Sequence, residues 1–290
     1  MKSNIKKAII IAPRIKEESH KISLEIESYL KSLDIDCTPQ FIDSTKGNTT
    51  FDPSIDLIIP LGGDGTVLYS ARAAVKTGAI LLPINLGTFG YITEIEKTEW
   101  KEAFNLFLEN GKNVSSRLML RCYVYRDGKK IFDSYSLNEA VVCSSGIAKV
   151  VSLKMDIDNT FAGNFRSDGM IVATPTGSTG YSLASGGPIL DCDIKALVVT
   201  PICPFALSNR PLVTGNKKIA IEVRENQRTD ICLTVDGQVY FELKEKDRII
   251  CKMSGKSVKL IHSSKRNFTE VVREKLKWSG EMNDRVPLCK

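Results

Sequence analysis

The feature that most constrains the fold of this chain is a change in hydrophobic period about 113 residues from its start. Before that point, short apolar runs alternate with stretches of helical spacing. The runs are Lys7 to Ala12, Cys37 to Asp43, Ile55 to Pro60 and Ile80 to Ile84, and the helical stretches are Lys16 to Leu33 and Thr66 to Lys76. Ile22, Ile26, Tyr29, Leu30 and Leu33 share one face of the first stretch, which predicts a helix with one buried side. Strands alternating with helices predict a parallel sheet covered by helices. Glu99 to Leu108 predicts a further helix, with Trp100, Phe104 and Phe107 or Leu108 inward and a stop at Gly111.

After the change, alternating segments such as "KIAIEV" and "VKLIH" are separated by tight turns at Asp127-Gly128, Asn159-Thr160 and Gly215-Asn216. That pattern predicts an antiparallel β domain. Helical spacing returns from Phe268 to Trp278, in a segment expected to pack back on the first unit. The expected architecture is an α/β amino-terminal domain with a Rossmann-like parallel sheet, residues 1–112 plus 264–290, and a β-rich domain, residues 113–263. A chain of 290 residues suits two such units.

Charge narrows the partners. The net charge of +6 comes from 40 basic and 34 acidic residues scattered along the chain, which suits an anionic small ligand at least as well as a polymer, since a nucleic-acid binder would show a basic stripe with interleaved aromatics. The eight cysteines are dispersed, with no C-x-x-C pair, so they read as buried thiols of a protein in a reducing cytoplasm. Two histidines leave little for histidine-based catalysis. The apolar run Ala8 to Ala12 is too short for a secretory leader or a membrane span.

Three stretches carry candidate chemistry. In "LIIPLGGDGTVLYSARAA", Gly62, Gly63 and Gly65 surround Asp64 between an apolar strand and a helix opened by Thr66. Glycines there admit phosphate to backbone amides and a helix amino terminus. An acid in such a loop makes sense if a divalent cation neutralises a triphosphate and the carboxylate orients and deprotonates an attacking hydroxyl. The loop fits neither G-x-G-x-x-G nor the P-loop. A second stretch, "FRSDGMIVATPTGSTGYSLASGGPIL", gathers Arg166, Asp168, hydroxyls, Tyr181 and glycines, against the plain alternative of a polar loop. A third, "LNEAVV", sets Asn138 and Glu139 before an apolar strand. Of the four Asp-Gly pairs, Asp127-Gly128 and Asp236-Gly237 read as hairpin turns.

Taken in order, "GGDGT", "NLGTFGYITE", "NEAVV", "SDGMIVATPTGSTGYSLASGGPIL", "LSNRPLV", "DGQ" and "REKLKW" resemble the NAD kinase family. The resemblance covers about residues 55 to 278. It implies a cleft between two domains, an oligomer, dimer or tetramer, that completes the site, and transfer of the terminal phosphate of ATP, with a divalent metal such as Mg2+, to the 2′-hydroxyl of the adenosine ribose of NAD. It implies Asp64 as proton acceptor, with Gly62, Gly63, Gly65 and Thr66 at the nucleotide. Asn138 and Glu139 would hold ribose hydroxyls, while Lys149, Arg166 and Asp168 would contact the dinucleotide. Thr179, Gly180, Tyr181, Ser182, Leu183 and Ala184 would line the adenosine region. Gln238 would touch the ligand, and Phe89 and Tyr91 would wall the pocket. Metal-ligating side chains are not identified. The chain departs from the usual family pattern at Gly180, commonly alanine, at Phe205, histidine in many members, and at Thr66, asparagine in many bacterial members. A lipid kinase with a similar glycine-acid loop and a non-catalytic NAD(P) sensor are the alternative readings.

Overall fold

The computed structural model describes residues 5–14, 17–47, 49–87, 90–146 and 149–276. The amino-terminal unit runs β1 (Lys7–Pro13), α1 (Glu17–Lys31), β2 (Asp36–Ile42), β3 (Leu57–Gly62), α2 (Asp64–Thr77), β4 (Ile80–Leu81), β5 (Ile84–Asn85), β6 (Ile95–Glu96) and α3 (Trp100–Asn110). β1 pairs in parallel with β2 and β3, and β3 pairs in parallel with β4 and β5. The expected strand Ile80 to Ile84 is thus two short pieces around Pro83, which has no N–H for the ladder.

Side-chain alternation buries this sheet on both faces. Ile10, Ile59 and Leu61 pack against Ile22, Ile26 and Leu30 of α1 and Trp100, Phe104 and Phe107 of α3. Ile9, Ile11 and Ile58 face Val67, Ala71 and Val75 of α2. A parallel sheet covered on both faces needs continuous apolar strands, and "LIIPLG" of β3 is wholly buried. α1 ends at Lys31, so Leu33 falls beyond it and is 39% exposed, contrary to its expected inward place. α3 stops as the sequence predicts: Gly111, at φ 64°, donates its N–H to the Phe107 carbonyl.

The β-rich unit runs β7 (Val114–Arg126), β8 (Lys129–Ser136), β9 (Glu139–Ser144), β10 (Val151–Ile157), β11 (Thr160–Ser167), β12 (Gly169–Ala173), a short 3-10 turn (Thr176–Thr179), α4 (Tyr181–Ala184), β13 (Leu197–Ile202), β14 (Leu212–Thr214), β15 (Ile219–Val223), β16 (Ile231–Val235), β17 (Val239–Leu243) and β18 (Arg248–Ile261). α5 (Phe268–Leu276) follows, and the expected continuation to Trp278 lies outside the described residues. One sheet is ordered β14-β13-β12-β9-β16-β17. It faces β7, β18, β15 and β10 across a core that includes Val142, Val172, Val199 and Leu233 on one side and Leu120, Leu153, Ile221 and Ile249 on the other.

The two units share backbone. β18 pairs antiparallel with β7 along its length and also in parallel with β4, so a single sheet runs from one unit into the other. The Asp127-Gly128 hairpin has φ 50° and 75°, the left-handed pair that a type I′ turn requires. The turn expected at Asn159-Thr160 sits one residue earlier, on Asp158 and Asn159 at φ 48° and 68°. Gly215-Asn216 carries the chain from one sheet to the other and is not a hairpin. The cysteines correct the expectation of uniform burial: Cys37, Cys122, Cys232 and Cys251 are buried, Cys143 and Cys192 are half-buried, and Cys203 is exposed. Cys289 lies outside the described residues.

Candidate active site

The glycine loop forms because β3 must turn directly into α2. Gly62 adopts φ 151°, and a side chain there would overlap the Thr66 hydroxyl, which packs beneath it. Gly63 caps α2 without a side-chain hydrogen bond, and both Gly63 and Gly65 are exposed. The Thr66 amide donates to the Gly63 carbonyl (3.0 Å), while the amides before it precede any intrahelical acceptor, so this end of the helix presents donors and a positive dipole to an anion.

Asp64 occupies the first turn, where the dipole favours a carboxylate. Its Oδ1 accepts from the Ile92 amide (3.2 Å), the Thr93 amide (3.1 Å) and the Thr93 hydroxyl (2.9 Å), and its Oδ2 from the Tyr91 amide (3.0 Å). The carboxylate therefore anchors the second glycine loop, a role the sequence did not reveal. With one donor on Oδ2, that oxygen retains capacity to accept another proton. Gly90 has to be glycine, because a methyl there would overlap the Asp64 carboxylate and the Thr93 hydroxyl. Tyr91 follows it, with a buried hydroxyl that has no hydrogen-bond partner among the described residues. Phe89 lies outside the described residues.

Asn138 and Glu139 sit at the entrance to β9. Asn138 Oδ1 and Glu139 Oε2 are buried and without a partner among the described residues. Burial, and secondarily the charge of Asp236, pushes the Glu139 carboxyl up to about 8, so near neutral pH it carries a proton and can donate as well as accept. The polar stretch after β12 folds against this turn: the Thr174 amide donates to the Asn138 carbonyl, and Gly177 lies so close to that carbonyl that no side chain fits. At Gly180 a methyl would come 3.3 Å from Glu139 Oε2 and 3.5 Å from Asn138 Nδ2. The missing methyl thus leaves space over the two side chains. Thr179 donates its hydroxyl to the Thr176 carbonyl and lines a narrow crevice with Tyr91. Ser182 is turned inward, its hydroxyl bonded to that of Thr200 at 2.8 Å, which corrects its expected place on the pocket wall. Leu183 is half-buried and Ala184 exposed.

The remaining expected residues lie at the other end of β9 and β12. Glu139 pairs with Ala173 while Cys143 pairs with Gly169, and four residues of strand separate those pairs by about 14 Å. Asp168 is half-buried there, and Arg166 is exposed, its guanidinium 5.2 Å from the ring centre of Phe205. That departure residue thus supplies an aromatic face for a cation. Lys149 is further out, its ammonium 3.4 Å from the Arg228 carbonyl, in an open groove of about 670 Å³ with Gln227, Thr229 and Asp230. Tyr181, 48% exposed, links the two ends: it follows Gly180, and its phenol is raised in pKa by burial and by the neighbouring Cys143, Cys203 and Asp168. Within one chain Arg166 and Asp168 thus lie at the opposite end of β9 and β12 from Asn138 and Glu139.

The structure adds two residues to the site's frame, Arg72 and Asp236. Asp236-Gly237 is the expected hairpin, at φ 51° and 63°, yet the Asp236 side chain is wholly buried and ion-paired with Arg72 of α2 at 3.1 Å. In the sequence Arg72 stands between Ala71 and the pair Ala73-Ala74 of α2, and buried cations are rare unless paired. Gln238 is held at both ends of its amide, accepting from Arg72 (2.7 Å) and donating to the Gly65 carbonyl (2.7 Å). Contacts thus run from Asn138 and Glu139 through Asp236, Arg72 and Gln238 to Gly65, while Asp64 holds Tyr91, which lines one crevice with Thr179.

Residues 16–112 match the family model described as the ATP-NAD kinase N-terminal domain, and residues 137–263 the one described as the ATP-NAD kinase C-terminal domain. The NAD kinase of Treponema denticola is 43% identical over 97% of this chain and 100% of its own length. That of Treponema pallidum is 33% identical over 96% of this chain and 92% of its own. Among solved structures, a yeast NADH kinase complexed with NADH superposes with a TM-score of 0.85 at 21% identity, covering 99% of this chain and 90% of that one. At that identity the likeness speaks for the fold alone. An α/β unit whose glycine loop holds an acid, facing a β-rich unit whose Asn-Glu turn carries buried oxygens without a partner among the described residues, joins these matches in one conclusion: the chain belongs to the NAD kinase family.

Proposed function

We propose that this protein transfers the terminal phosphoryl group of ATP to the 2′-hydroxyl of the adenosine ribose of NAD, giving NADP. The observation that carries the reading is the pair of buried polar atoms Asn138 Oδ1 and Glu139 Oε2, without a partner among the described residues, beside Gly180 and on the backbone that Asp236 holds. Buried polar groups are satisfied as a rule, so two neighbouring side chains with unpartnered oxygens point to a ligand. Asn138 and protonated Glu139 grip ribose hydroxyls, and the flat face of Tyr181 packs on the adenosine. The exposed amides of the glycine loop take phosphate oxygens. Asp64, fixed by four donors, orients the attacking hydroxyl and accepts its proton late, as a loose phosphoryl-transfer transition state allows. A lipid acceptor would need an apolar channel, which this polar site does not offer.

A divalent cation, with magnesium the natural choice, fits as a nucleotide-borne ion. No group of three or more His, Cys, Asp or Glu side chains suited to holding a metal occurs among the described residues, and Asp64 supplies one carboxylate beside the phosphate donors. Magnesium keeps waters and is commonly carried on substrate phosphates with one or two carboxylates. When bound it would neutralise phosphate charge. We further propose a homo-oligomer in which the far group, Lys149, Arg166 and Asp168, serves the dinucleotide across a subunit boundary. The division into residues 1–112 with 264–290 and 113–263, and a cytoplasmic location, belong to the same proposal. No helix among the described residues is long and apolar enough to cross a membrane.

The test is direct: incubation with NAD, ATP and magnesium should add one phosphate to the adenosine ribose, read by tandem mass spectrometry. Unchanged NAD, or phosphate on an added sphingoid base instead, would reject the assignment. Gly90→Ala gives a sharper check on the loop. Overpacking costs about 1–3 kcal/mol, which should lower the thermal midpoint by about 2–10 °C, and if the strain falls on Asp64, kcat of the folded protein should drop about 5- to 100-fold; unchanged kcat would show that the carboxylate's seat is not needed.

A further inference from the structure

Arg72 and Asp236 meet where the two units join, 164 residues apart in sequence. Arg72 lies eight residues beyond Asp64 on α2, about 12 Å along the helix. Its guanidinium donates to Asp236 Oδ2 (3.1 Å), Gln238 Oε1 (2.7 Å) and the carbonyls of Leu68 and Gly47 (3.2 Å each). Asp236 in turn accepts from the Ser136 hydroxyl and from three successive amides, Leu137 (3.2 Å), Asn138 (2.8 Å) and Glu139 (3.3 Å). One carboxylate therefore fixes the backbone from which Asn138 and Glu139 project. Its cationic partner rides on the helix whose first turn carries Asp64. Gln238, two residues along the same hairpin, adds a second strut to the Gly65 carbonyl.

We propose that Arg72 and Asp236 are positioning residues, a buried clamp that keeps the Asn138-Glu139 grip on the acceptor in register with Asp64. The inference rests on the kinase reading above. A buried ion pair is a poor way to gain stability, because an apolar replacement of both partners is often neutral or better. What this pair does supply is direction. The guanidinium fork links the Asp64 helix to two residues of the hairpin at once, and the carboxylate collects amides that no apolar side chain can hold. A misplacement of about 1 Å between reacting groups costs on the order of 100-fold in rate, so loss of the clamp should be felt in turnover before it is felt in binding.

Two variants test this. Arg72→Lys keeps the charge and loses the fork, while the double variant Arg72→Met with Asp236→Asn removes both charges and keeps an amide acceptor. Each is compared with wild type for thermal midpoint, for NAD affinity by calorimetry without ATP, and for kcat with NAD, ATP and magnesium saturating. The clamp predicts a kcat about 10- to 100-fold lower, with NAD affinity within about threefold. A kcat within twofold of wild type in folded protein, or a loss that only tracks the unfolded fraction, overturns it. If the double variant does not fold, Arg72→Lys decides alone. Wild-type enzyme that leaves NAD unphosphorylated would instead sink the kinase reading, and that control is run first.

Discussion

Asp64→Asn should lower kcat by about 100- to 10,000-fold, the range expected for loss of a positioned base, while NAD affinity stays close to wild type. The asparagine keeps one oxygen, which can still accept from the Ile92 and Thr93 donors. Its amide nitrogen then stands where Oδ2 accepts the Tyr91 N–H, and donor faces donor. The variant thus removes the proton acceptor and loosens one tether of the second glycine loop. Asp64→Ala removes all four contacts and separates the two effects: if the tethers alone matter, alanine should be far worse than asparagine. Steady-state kinetics with saturating ATP, together with calorimetric NAD binding, measures both. Near-normal turnover in Asp64→Asn would remove this carboxylate from the mechanism.

The second large effect is on stability and follows from Glu139. Burial, with Asp236 as a lesser cause, pushes its carboxyl up to about 8 from an ordinary value of 4.5. The folded chain therefore holds a proton that the unfolded chain releases once pH passes the ordinary carboxyl range. Its contribution is fully present below about pH 4.5 and is lost as pH rises through about 8. At about 1.4 kcal/mol per pH unit the loss has a ceiling of roughly 5 kcal/mol, and water entering the cleft will reduce it. Glu139→Gln, which cannot ionise, should flatten this part of the profile and be more stable than wild type at pH 8.5 by about 2–5 kcal/mol. Urea midpoints at pH 5.5, 7 and 8.5 for both proteins measure it. Parallel profiles for the two would mean that Glu139 ionises as freely in the folded protein as in the unfolded chain.

Much of the fold could be read from local pattern. The apolar run of β3, the α2 helix after the glycines and the Gly111 stop each follow from residues adjacent in the chain, since period and cap chemistry are local properties. The acid-bearing loop was legible for the same reason. Asp236 shows where such reading stops. Its Asp-Gly signal correctly gave a hairpin, and the same signal hid a buried carboxylate whose partners lie on β8, the β9 entrance and α2. Ser182 shows the converse: a polar run looked wholly ligand-facing, and one hydroxyl instead turned inward to Thr200.

By itself, then, the sequence determined the two units, the strand and helix periods, the glycine turn around Asp64 and the family to which these belong. Only the tertiary structure decided what Asp64 holds, which oxygens of Asn138 and Glu139 are without a partner among the described residues, and that Arg166 and Asp168 lie at the far end of the strands, about 14 Å from the Glu139 end. The reason is physical. Secondary structure follows from spacing along the chain, whereas hydrogen bonds, burial and charge pairing depend on which distant segments the packed sheets bring together.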